Sequence, residues 1–209
     1  ATAVPLSDGV VPASLEAVAE SYRQRGLPPK VRWTPVAPAS VATEAEAGGW
    51  TSAGEVVVMV APRTSVVDYR APPAGVEATI LSAPDDGWSG VYLDANGDGS
   101  GPARLRLAVE APEKKAYASI VVDGVTAAIG LGVVLEGTLG IFDLVTAPAY
   151  RRRGLARIVM SSLQRWGVAA GATSTFLQVH GGNAGAISLY GSLGFSTGYT
   201  YVYIVPPVT

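Results

Sequence analysis

The sequence contains no cysteine and only one histidine, His180, among its 209 residues. Without cysteine the chain can form neither disulfides nor thiolate metal ligands, and it has no thiol nucleophile. A single histidine makes a histidine-clustered metal site implausible. Charged residues are also scarce, at 15%, and a net charge of −2 provides no basic field that would recruit nucleic acid.

Long uninterrupted apolar runs are missing too, so no segment is predicted to span a bilayer. The first ten residues, ATAVPLSDGV, lack the basic region and the apolar core of a secretory signal. Hydrophobic residues nevertheless make up 48% of the chain, which is ample material for a folded core. We therefore expect a soluble cytoplasmic protein whose partners include neither a membrane nor a nucleic acid.

Hydrophobic periodicity and turn residues predict two α/β segments. Residues 1–61 show a helix–strand–helix–strand pattern, and the turn-rich residues 62–74 are interpreted as a linker. In residues 75–209 the same signals predict a strand, two helices and three meandering strands, followed by helix, strand, helix and strand. This order indicates a mixed α/β fold, a mixed sheet with helices on both faces, preceded by a smaller half-domain.

Three consecutive arginines, Arg151–Arg153, precede Gly154 where a helix is predicted to begin, over residues 152–169. A helix N-terminus carries bare N–H groups and the positive end of the helix dipole, so each arginine there costs about 0.3–1 kcal/mol. A bound phosphate would offset this cost, because backbone amides and guanidinium groups would both bind it. The alternative is a solvated basic turn. The combination of strand, turn, glycine and helix favours anion binding.

The run RRRGLA, Arg151–Ala156, resembles the Q/R-x-x-G-x-G/A motif of the GNAT superfamily of acyl-CoA-dependent N-acyltransferases. NAGAISLYGSLGF, Asn183–Phe195, is similar to that family's second signature, N-x-x-A-x-x-L-Y-x-x-x-G-F. The two motifs follow each other in the family's order, and the resemblance covers residues 75–209. It implies the GNAT fold, with residues 1–61 as a degenerate GNAT-like unit in a tandem arrangement like that of mycothiol synthase.

The resemblance also implies acetyl-CoA as cosubstrate and assigns residues to it. The strand residues before the motif would pair with the pantetheine arm, and the amides of the arginine–glycine turn would hold the pyrophosphate. The asparagine of the second signature would contact the cofactor arm or cap its helix. The implied cofactor-binding residues are Leu144, Val145, Thr146, Arg151, Arg152, Arg153, Gly154, Leu155, Ala156, Arg157, Asn183 and Ala186.

Tyr190 is the candidate general acid, because the resemblance places it near the cofactor sulfur. The reference pKa values are about 8.5 for a thiol and about 10 for tyrosine, so Tyr190 carries the proton that a departing thiolate needs. The alternative is a core tyrosine whose hydroxyl is satisfied at the surface.

The general base stays open. Where related enzymes carry a glutamate, this chain has Gln178, which takes no proton at neutral pH, or Gly140. The nearest carboxylates in sequence are Asp143 and Glu136, and Asp143 is expected on the strand face opposite Leu144. His180 has a suitable ordinary pKa, and a water chain to bulk solvent could also serve.

Two functions follow. The first is acetyl transfer from acetyl-CoA to a primary amine of a small-molecule or peptide acceptor, and the alternative is a catalytically weak acyl-CoA-binding sensor or interaction module. An acceptor pocket could draw on Trp88, Tyr92, Tyr199 and Tyr201, which could equally be core. If the last strand, YTYVYIV, is exposed at a sheet edge, it makes a homodimer plausible.

Overall fold

The computed structural model describes residues 14–62, 72–97, 99, 101–110 and 114–207. The helices are α1 (Leu15–Arg23), α2 (Ala39–Ala47), α3 (Asp86–Ala95), α4 (Gly101–Glu110), α5 (Leu155–Ala169) and α6 (Ala184–Ser192). The strands are β1 (Val31–Trp33), β2 (Thr51–Pro62), β3 (Val76–Leu81), β4 (Lys114–Val122), β5 (Val125–Leu135), β6 (Thr138–Thr146), β7 (Ser174–His180) and β8 (Ser196–Val205). A 3-10 turn, Pro148–Tyr150, precedes α5. No helix in these ranges is long and apolar enough to cross a membrane.

The strands form one mixed sheet in the order β1-β8-β2-β7-β6-β5-β4-β3. β3, β4, β5 and β6 form an antiparallel meander, and β6 pairs in parallel with β7. The predicted mixed α/β fold is therefore confirmed, including the order of elements in residues 75–209.

Two glycine turns build the meander, as the sequence predicts. In the β4–β5 turn Asp123 and Gly124 have φ values of 50° and 82°, and in the β5–β6 turn Glu136 and Gly137 have 47° and 74°. Two successive residues with positive φ give the tight turn whose twist matches that of a β-hairpin. These turns set the register of β5 with β6, and the last residues of β6 form part of the site described below.

The described chain divides into two compact units that do not follow chain order. One contains the chain up to Met59, Val179–Ile187, and the chain from Thr197 onward; the other contains Val60–Gln178 and Ser188–Ser196. The C-terminal segment groups with the N-terminal one because β8 pairs with β1, a long-range contact that no local pattern encodes. The boundaries 1–61, 62–74 and 75–209 stay a prediction, and residues 63–71 of the predicted linker lie outside the described ranges.

The first unit packs α1 and α2 over the β1–β8 pair. Its core contains Leu15, Val31, Ala45 and Ile204. β8 lies between β1 and β2 in the sheet, so it is not an edge strand. β1 covers only Val202–Ile204 of β8, and the homodimer that an exposed last strand would make plausible stays a prediction.

The second unit packs α3 and α5 against the meander. Trp88 and Tyr92 of α3 stack with ring centroids 5.4 Å apart, and their side chains are buried together with Tyr117. The indole nitrogen of Trp88 donates to the Gly130 carbonyl at 3.4 Å. Trp88 and Tyr92 are 0% and 2% exposed. These two residues therefore belong to the hydrophobic core. The sequence had left open whether they line an acceptor pocket or are core.

Candidate active site

The parallel ladder between β6 and β7 stops before β6 ends. The register runs from Thr138 opposite Ser174 to Ile141 opposite Leu177, whereas β6 continues to Thr146. On their other side, Phe142, Val145 and Thr146 remain paired with β5, and Thr146 lies opposite Ala128. The last part of β6 therefore presents backbone N–H and C=O groups on one edge, and half-buried side chains flank that edge. The predicted residues Leu144, Val145 and Thr146 lie on this open edge.

A β-bulge bends the same stretch of β6. The register with β5 shifts between Ile129 and Leu131, where Val145 and Phe142 are the respective partners. Asp143 lies within the bulge and has a φ of 50°. A bulge re-aims side chains and interrupts pairing next to many active sites. Here it lies within the open edge, between Phe142 and Val145.

The loop from β6 to α5 alternates the sign of φ. Arg152 has a φ of 65° and Gly154 a φ of 78°, whereas Arg153 and Leu155 are not among the residues with positive φ. Successive residues of opposite φ sign turn their N–H groups into one concavity, an anion-binding nest. α5 begins at Leu155, not at residue 152 as the sequence predicts, because Arg152 and Gly154 cannot hold helical dihedrals at these φ values.

The N-terminus of α5 has no internal compensation for its dipole. Its N-cap is Gly154, which makes no side-chain cap, and its first turn contains no acidic residue. Leu155 is 3% exposed and anchors the helix start in the core. A Cβ added to Gly154 would meet nothing within 4 Å, so the space above the nest is open. Amides, dipole and open space together fit a bound anion.

The three arginines that precede Gly154 are exposed, and two of them have defined contacts. The Nε of Arg151 donates to the Thr146 carbonyl at 3.3 Å. The Arg153 guanidinium lies 5.2 Å from the ring centroid of Tyr150. No carboxylate of the described ranges pairs with these arginines, since the ion pairs there belong to α1. The positive charge of the loop is therefore available to a ligand.

Arg157 in the first turn of α5 has a structural contact instead. Its Nη2 donates to the Ser192 hydroxyl at 2.8 Å, which joins α5 to the end of α6. The Ser192 hydroxyl in turn donates to the Leu189 carbonyl at 2.7 Å. The side chain of Arg157 is thus held against α6. The residue is exposed, and its contact with a cofactor stays a prediction.

The second signature builds the turn and helix that follow β7. Asn183 caps α6 through its Oδ1, which accepts from the Ala186 N–H at 3.1 Å. The Asn183 N–H itself donates to the His180 carbonyl at 2.8 Å. Asn183 is exposed and Ala186 half-buried. The capping role is therefore observed, and contacts of both residues with a cofactor stay a prediction.

Tyr190 is 7% exposed and packs against Phe195, with ring centroids 6.2 Å apart. Burial raises the pKa of its hydroxyl above the ordinary value of 10.0. The hydroxyl makes no hydrogen bond to any described residue, and it is not among the fully shielded polar atoms of that part of the chain. A buried ring with an accessible, unused hydroxyl is what a proton donor at a site wall requires.

The candidate bases differ in what their surroundings permit. A Cβ at Gly140 would lie 2.6 Å from the outer edge of the Phe142 ring, so a glutamate there would require this ring to shift. Glu136 lies in the β5–β6 turn, at the opposite end of β6 from the open edge. Asp143 is half-buried beside that edge, and burial raises the pKa of its carboxyl, although the positive charge of Arg104 opposes the shift.

At the end of β7, His180 and Glu55 are neighbours. The Nδ1 of His180 accepts from the Gly182 N–H at 3.2 Å, and its Nε2 would lie 3.4 Å from a Cβ on Gly54. The Glu55 carbonyl accepts from the Gly181 N–H at 2.9 Å. Glu55 belongs to β2, far away in sequence and outside any motif, so only the sheet order reveals this proximity.

Comparison with known proteins places this geometry in a family. The family model described as "Probable histone acetyltransferase Rv0428c C-terminal" matches residues 1–204. The "Uncharacterized N-acetyltransferase YobR" of Bacillus subtilis (strain 168) is 39% identical over 69 residues, which are 33% of this chain and 28% of YobR. The matched segment thus spans less than a third of the length of that relative.

Two solved structures share the fold. A GCN5-related N-acetyltransferase from Kribbella flavida is 19% identical, with a TM-score of 0.68 over 93% of this chain and 74% of that one. A tandem GNAT protein from the clavulanic acid biosynthesis pathway is 15% identical, with a TM-score of 0.75 over 93% of this chain and 69% of that one. Because the family model matches nearly the whole chain, the protein belongs to the family of the probable histone acetyltransferase Rv0428c C-terminal region, and its fold is that of the GNAT proteins.

Proposed function

We propose that the protein transfers an acetyl group from acetyl-CoA to a primary amine on a small-molecule or peptide acceptor. The single observation that carries the proposal is the continuity of two features along residues 142–157. The open edge of β6 leads directly into the nest before α5. The cytoplasmic location expected from the sequence stays a prediction.

The residues present fit acetyl-CoA. The open edge at Leu144–Thr146 would pair with the amide groups of the pantetheine arm, as a strand does in a ladder. The amides of residues 152–156 and the exposed guanidinium groups of Arg151 and Arg153 would hold the pyrophosphate, whereas the Arg157 N–H donates to the Gly154 carbonyl at 3.0 Å. When bound, acetyl-CoA supplies the acetyl thioester, and the remaining tasks fall to the protein's own side chains.

Tyr190 holds the proton that the reaction consumes at sulfur. Because burial raises its pKa, the hydroxyl stays protonated at neutral and mildly alkaline pH. That is the form in which a phenol can donate a proton or a hydrogen bond. Tyr190 therefore still carries its proton, and can donate it, over the pH range in which acceptor amines become neutral.

Asp143 accepts the proton of the incoming amine. Its carboxyl lies on the bulge next to the open edge, and burial raises its pKa toward the range in which a base is effective. Gly140 has no side chain, and Gln178 carries no basic group.

Turnover is tested by following CoA release with a thiol reagent over a panel of primary amines. The protein contains no cysteine, so it contributes no thiol background. We expect Tyr190→Phe to lower kcat by about 10²-fold or more, with the stabilisation by acetyl-CoA unchanged. Stabilisation by acetyl-CoA without turnover of any amine would favour the binding module instead. Unaltered kcat in Tyr190→Phe would remove Tyr190 from the mechanism.

A further inference from the structure

A cluster of cations and tyrosines lies on one face of the β1–β8 pair, within the first unit. Arg32 of β1 is the register partner of Tyr203 of β8, and the side chains of directly opposed residues share a face. Tyr201, two residues before Tyr203, lies on the same face. Val31 and Ile204 alternate with these residues and belong to the core beneath α1 and α2. The cluster therefore occupies the face of the pair that points away from this core.

Two cations lie against the tyrosine rings of this face. The Nζ of Lys30 lies 4.8 Å from the ring centroid of Tyr203, and the guanidinium carbon of Arg32 lies 4.6 Å from that of Tyr201. Both cations are half-buried. The ion pairs of the described ranges lie within α1 and include neither of them. Two positive charges are thus held side by side without a carboxylate partner from the described part of the chain.

The hydrogen bonds within the cluster leave donors without acceptors. The hydroxyl oxygens of Tyr201 and Tyr203 are 3.4 Å apart. Burial, and next its hydrogen bond to Tyr203, raise the pKa of Tyr201, so Tyr201 is the donor in this bond. Arg32, which can only donate, hydrogen-bonds toward the same Tyr203 oxygen. The proton of Tyr203 and the ammonium group of Lys30 then have no acceptor among the described residues.

The electrostatic surroundings of Tyr203 are positive. Burial by itself raises the pKa of its hydroxyl, but the hydrogen bonds from Tyr201 and Arg32 and the charges of Arg32 and Lys30 outweigh burial, so the pKa lies below the ordinary 10.0. Within the described ranges no carboxylate is among the groups that act on Tyr203. Surroundings that favour a phenolate also favour a bound anion.

The donors of the cluster are accessible. Only the Nε of Arg32 is fully shielded and unpartnered, and it takes no part in the site; the two terminal nitrogens of Arg32 and the Nζ of Lys30 are not among such atoms of the described residues. Tyr199, two residues before Tyr201 on the same strand face, is 43% exposed. A ligand can therefore reach the cluster from solvent.

We propose that Lys30, Arg32 and the Tyr203 hydroxyl bind the oxyanion of a small ligand, a carboxylate or a phosphate group. Lysine and arginine form strong, charge-assisted hydrogen bonds with both groups, and the Tyr203 proton supplies a third donor. The site lies wholly within the first unit, and it does not depend on the acetyl-transfer proposal.

The test is an NMR titration of the full chain, labelled at the tyrosine Cζ, with inorganic phosphate and separately with acetate, against sodium chloride at equal ionic strength. The protein has nine tyrosines, and Tyr203→Phe identifies the Tyr203 signal. We expect saturable shifts of the Tyr201 and Tyr203 signals that chloride does not reproduce. Binding of phosphate identifies a phosphate site, binding of acetate a carboxylate site, and binding of neither overturns the proposal.

Three variants separate the cluster from general charge effects. Lys30→Gln and Tyr203→Phe each remove one donor and should weaken binding of the anion by about threefold or more. Arg25→Gln removes an exposed charge just after α1, outside the cluster, and should leave binding unchanged. Undiminished binding by Lys30→Gln or by Tyr203→Phe would overturn the proposal.

The ionisation of Tyr203 gives a second readout in the unaltered protein. A bound anion opposes ionisation of the neighbouring phenol, so the anion that binds should raise the pKa of Tyr203 when it saturates the site. The Cζ signal of Tyr203, followed across alkaline pH with and without that anion, measures this change. A pKa of Tyr203 that the anion leaves unchanged would place the anion elsewhere and overturn the proposal.

Discussion

At the scale of single residues, two left-handed positions shape the loop before α5. Arg152 and Gly154 both have positive φ, and that geometry turns consecutive N–H groups toward one point. A non-glycine residue in this region is strained by roughly 1–3 kcal/mol and is typical of functional loops. The strain at Arg152 belongs to the conformation that forms the nest.

The backbone requirement at Gly154 can be measured with two alanine substitutions. A Cβ added at either Gly154 or Gly191 would have no neighbour within 4 Å, but only Gly154 has a positive φ. Gly154→Ala should destabilise the fold by about 1 kcal/mol, because an L-residue resists left-handed dihedrals. Gly191→Ala, in α6, should stabilise it by about 0.5–1 kcal/mol. Urea denaturation of both variants checks the opposite signs, and equal effects would contradict the left-handed assignment.

Asp143 should make stability depend on pH. Burial raises the pKa of its carboxyl in the folded state above the ordinary 3.8, against the opposing charge of Arg104. Below the ordinary pKa the carboxyl is protonated in both states and carries no penalty. As the pH rises through the raised folded pKa, the cost of a buried charge appears and stability is lost.

Asp143→Asn removes this cost and keeps a residue that tolerates positive φ. We therefore expect the variant to be more stable than the parent protein at pH 7, with the difference shrinking as the pH approaches 4. Denaturant titrations at both pH values measure it. A difference independent of pH would show that the carboxyl carries no burial penalty. If Asp143 is the base, the same variant should lose kcat while still binding acetyl-CoA.

At the scale of elements, glycines let α5 approach the sheet closely. A Cβ at Gly130 of β5 would lie 2.6 Å from Val159 Cγ1, and one at Gly167 of α5 would lie 2.7 Å from Leu139 Cδ2. Val159 and Leu139 are almost completely buried. These contacts position the N-terminus of α5 beside the end of β6, and so they support the site from a distance.

Gly130→Ala should destabilise the protein by about 1–3 kcal/mol, because an added methyl overpacks a dense core. Gly90→Ala is the matched control, since Gly90 lies in helix α3 with nothing within 4 Å of its Cβ position. The control should be neutral or slightly stabilising. Thermal unfolding measures the change in stability of both variants. A Gly130→Ala variant as stable as its parent would show that α5 is free to shift.

Local signals in the sequence predict much of the fold, and long-range pairing escapes them. The meander, its two turns and the helices after the motifs follow from periodicity and glycine positions. The place of β8 between β1 and β2 does not, because strand pairing between distant segments leaves no local trace. The sequence places the start of α5 three residues too early, because RRR gives no sign that Arg152 is left-handed. Glu55 belongs to no motif, and only the sheet brings its carbonyl to the Gly181 N–H, next to His180.

At the scale of the whole molecule, bound acetyl-CoA should stabilise the fold. A ligand that binds only the folded state, at a hundred times its Kd, contributes about 2.7 kcal/mol. For a chain of 209 residues this corresponds to a rise in Tm of roughly 5–10 °C. Much of this rise in Tm should depend on the loop of residues 151–154, because this loop would bind the negatively charged pyrophosphate.

Thermal unfolding with and without acetyl-CoA, for the parent protein, Arg153→Glu and Arg25→Glu, decides whether the loop before α5 binds the cofactor. Both variants exchange an exposed arginine for a glutamate, but only Arg153 lies in that loop. We expect acetyl-CoA to raise the Tm of the parent and of Arg25→Glu equally, and to raise that of Arg153→Glu much less. No rise in the parent protein, or an undiminished rise in Arg153→Glu, would contradict cofactor binding at this loop.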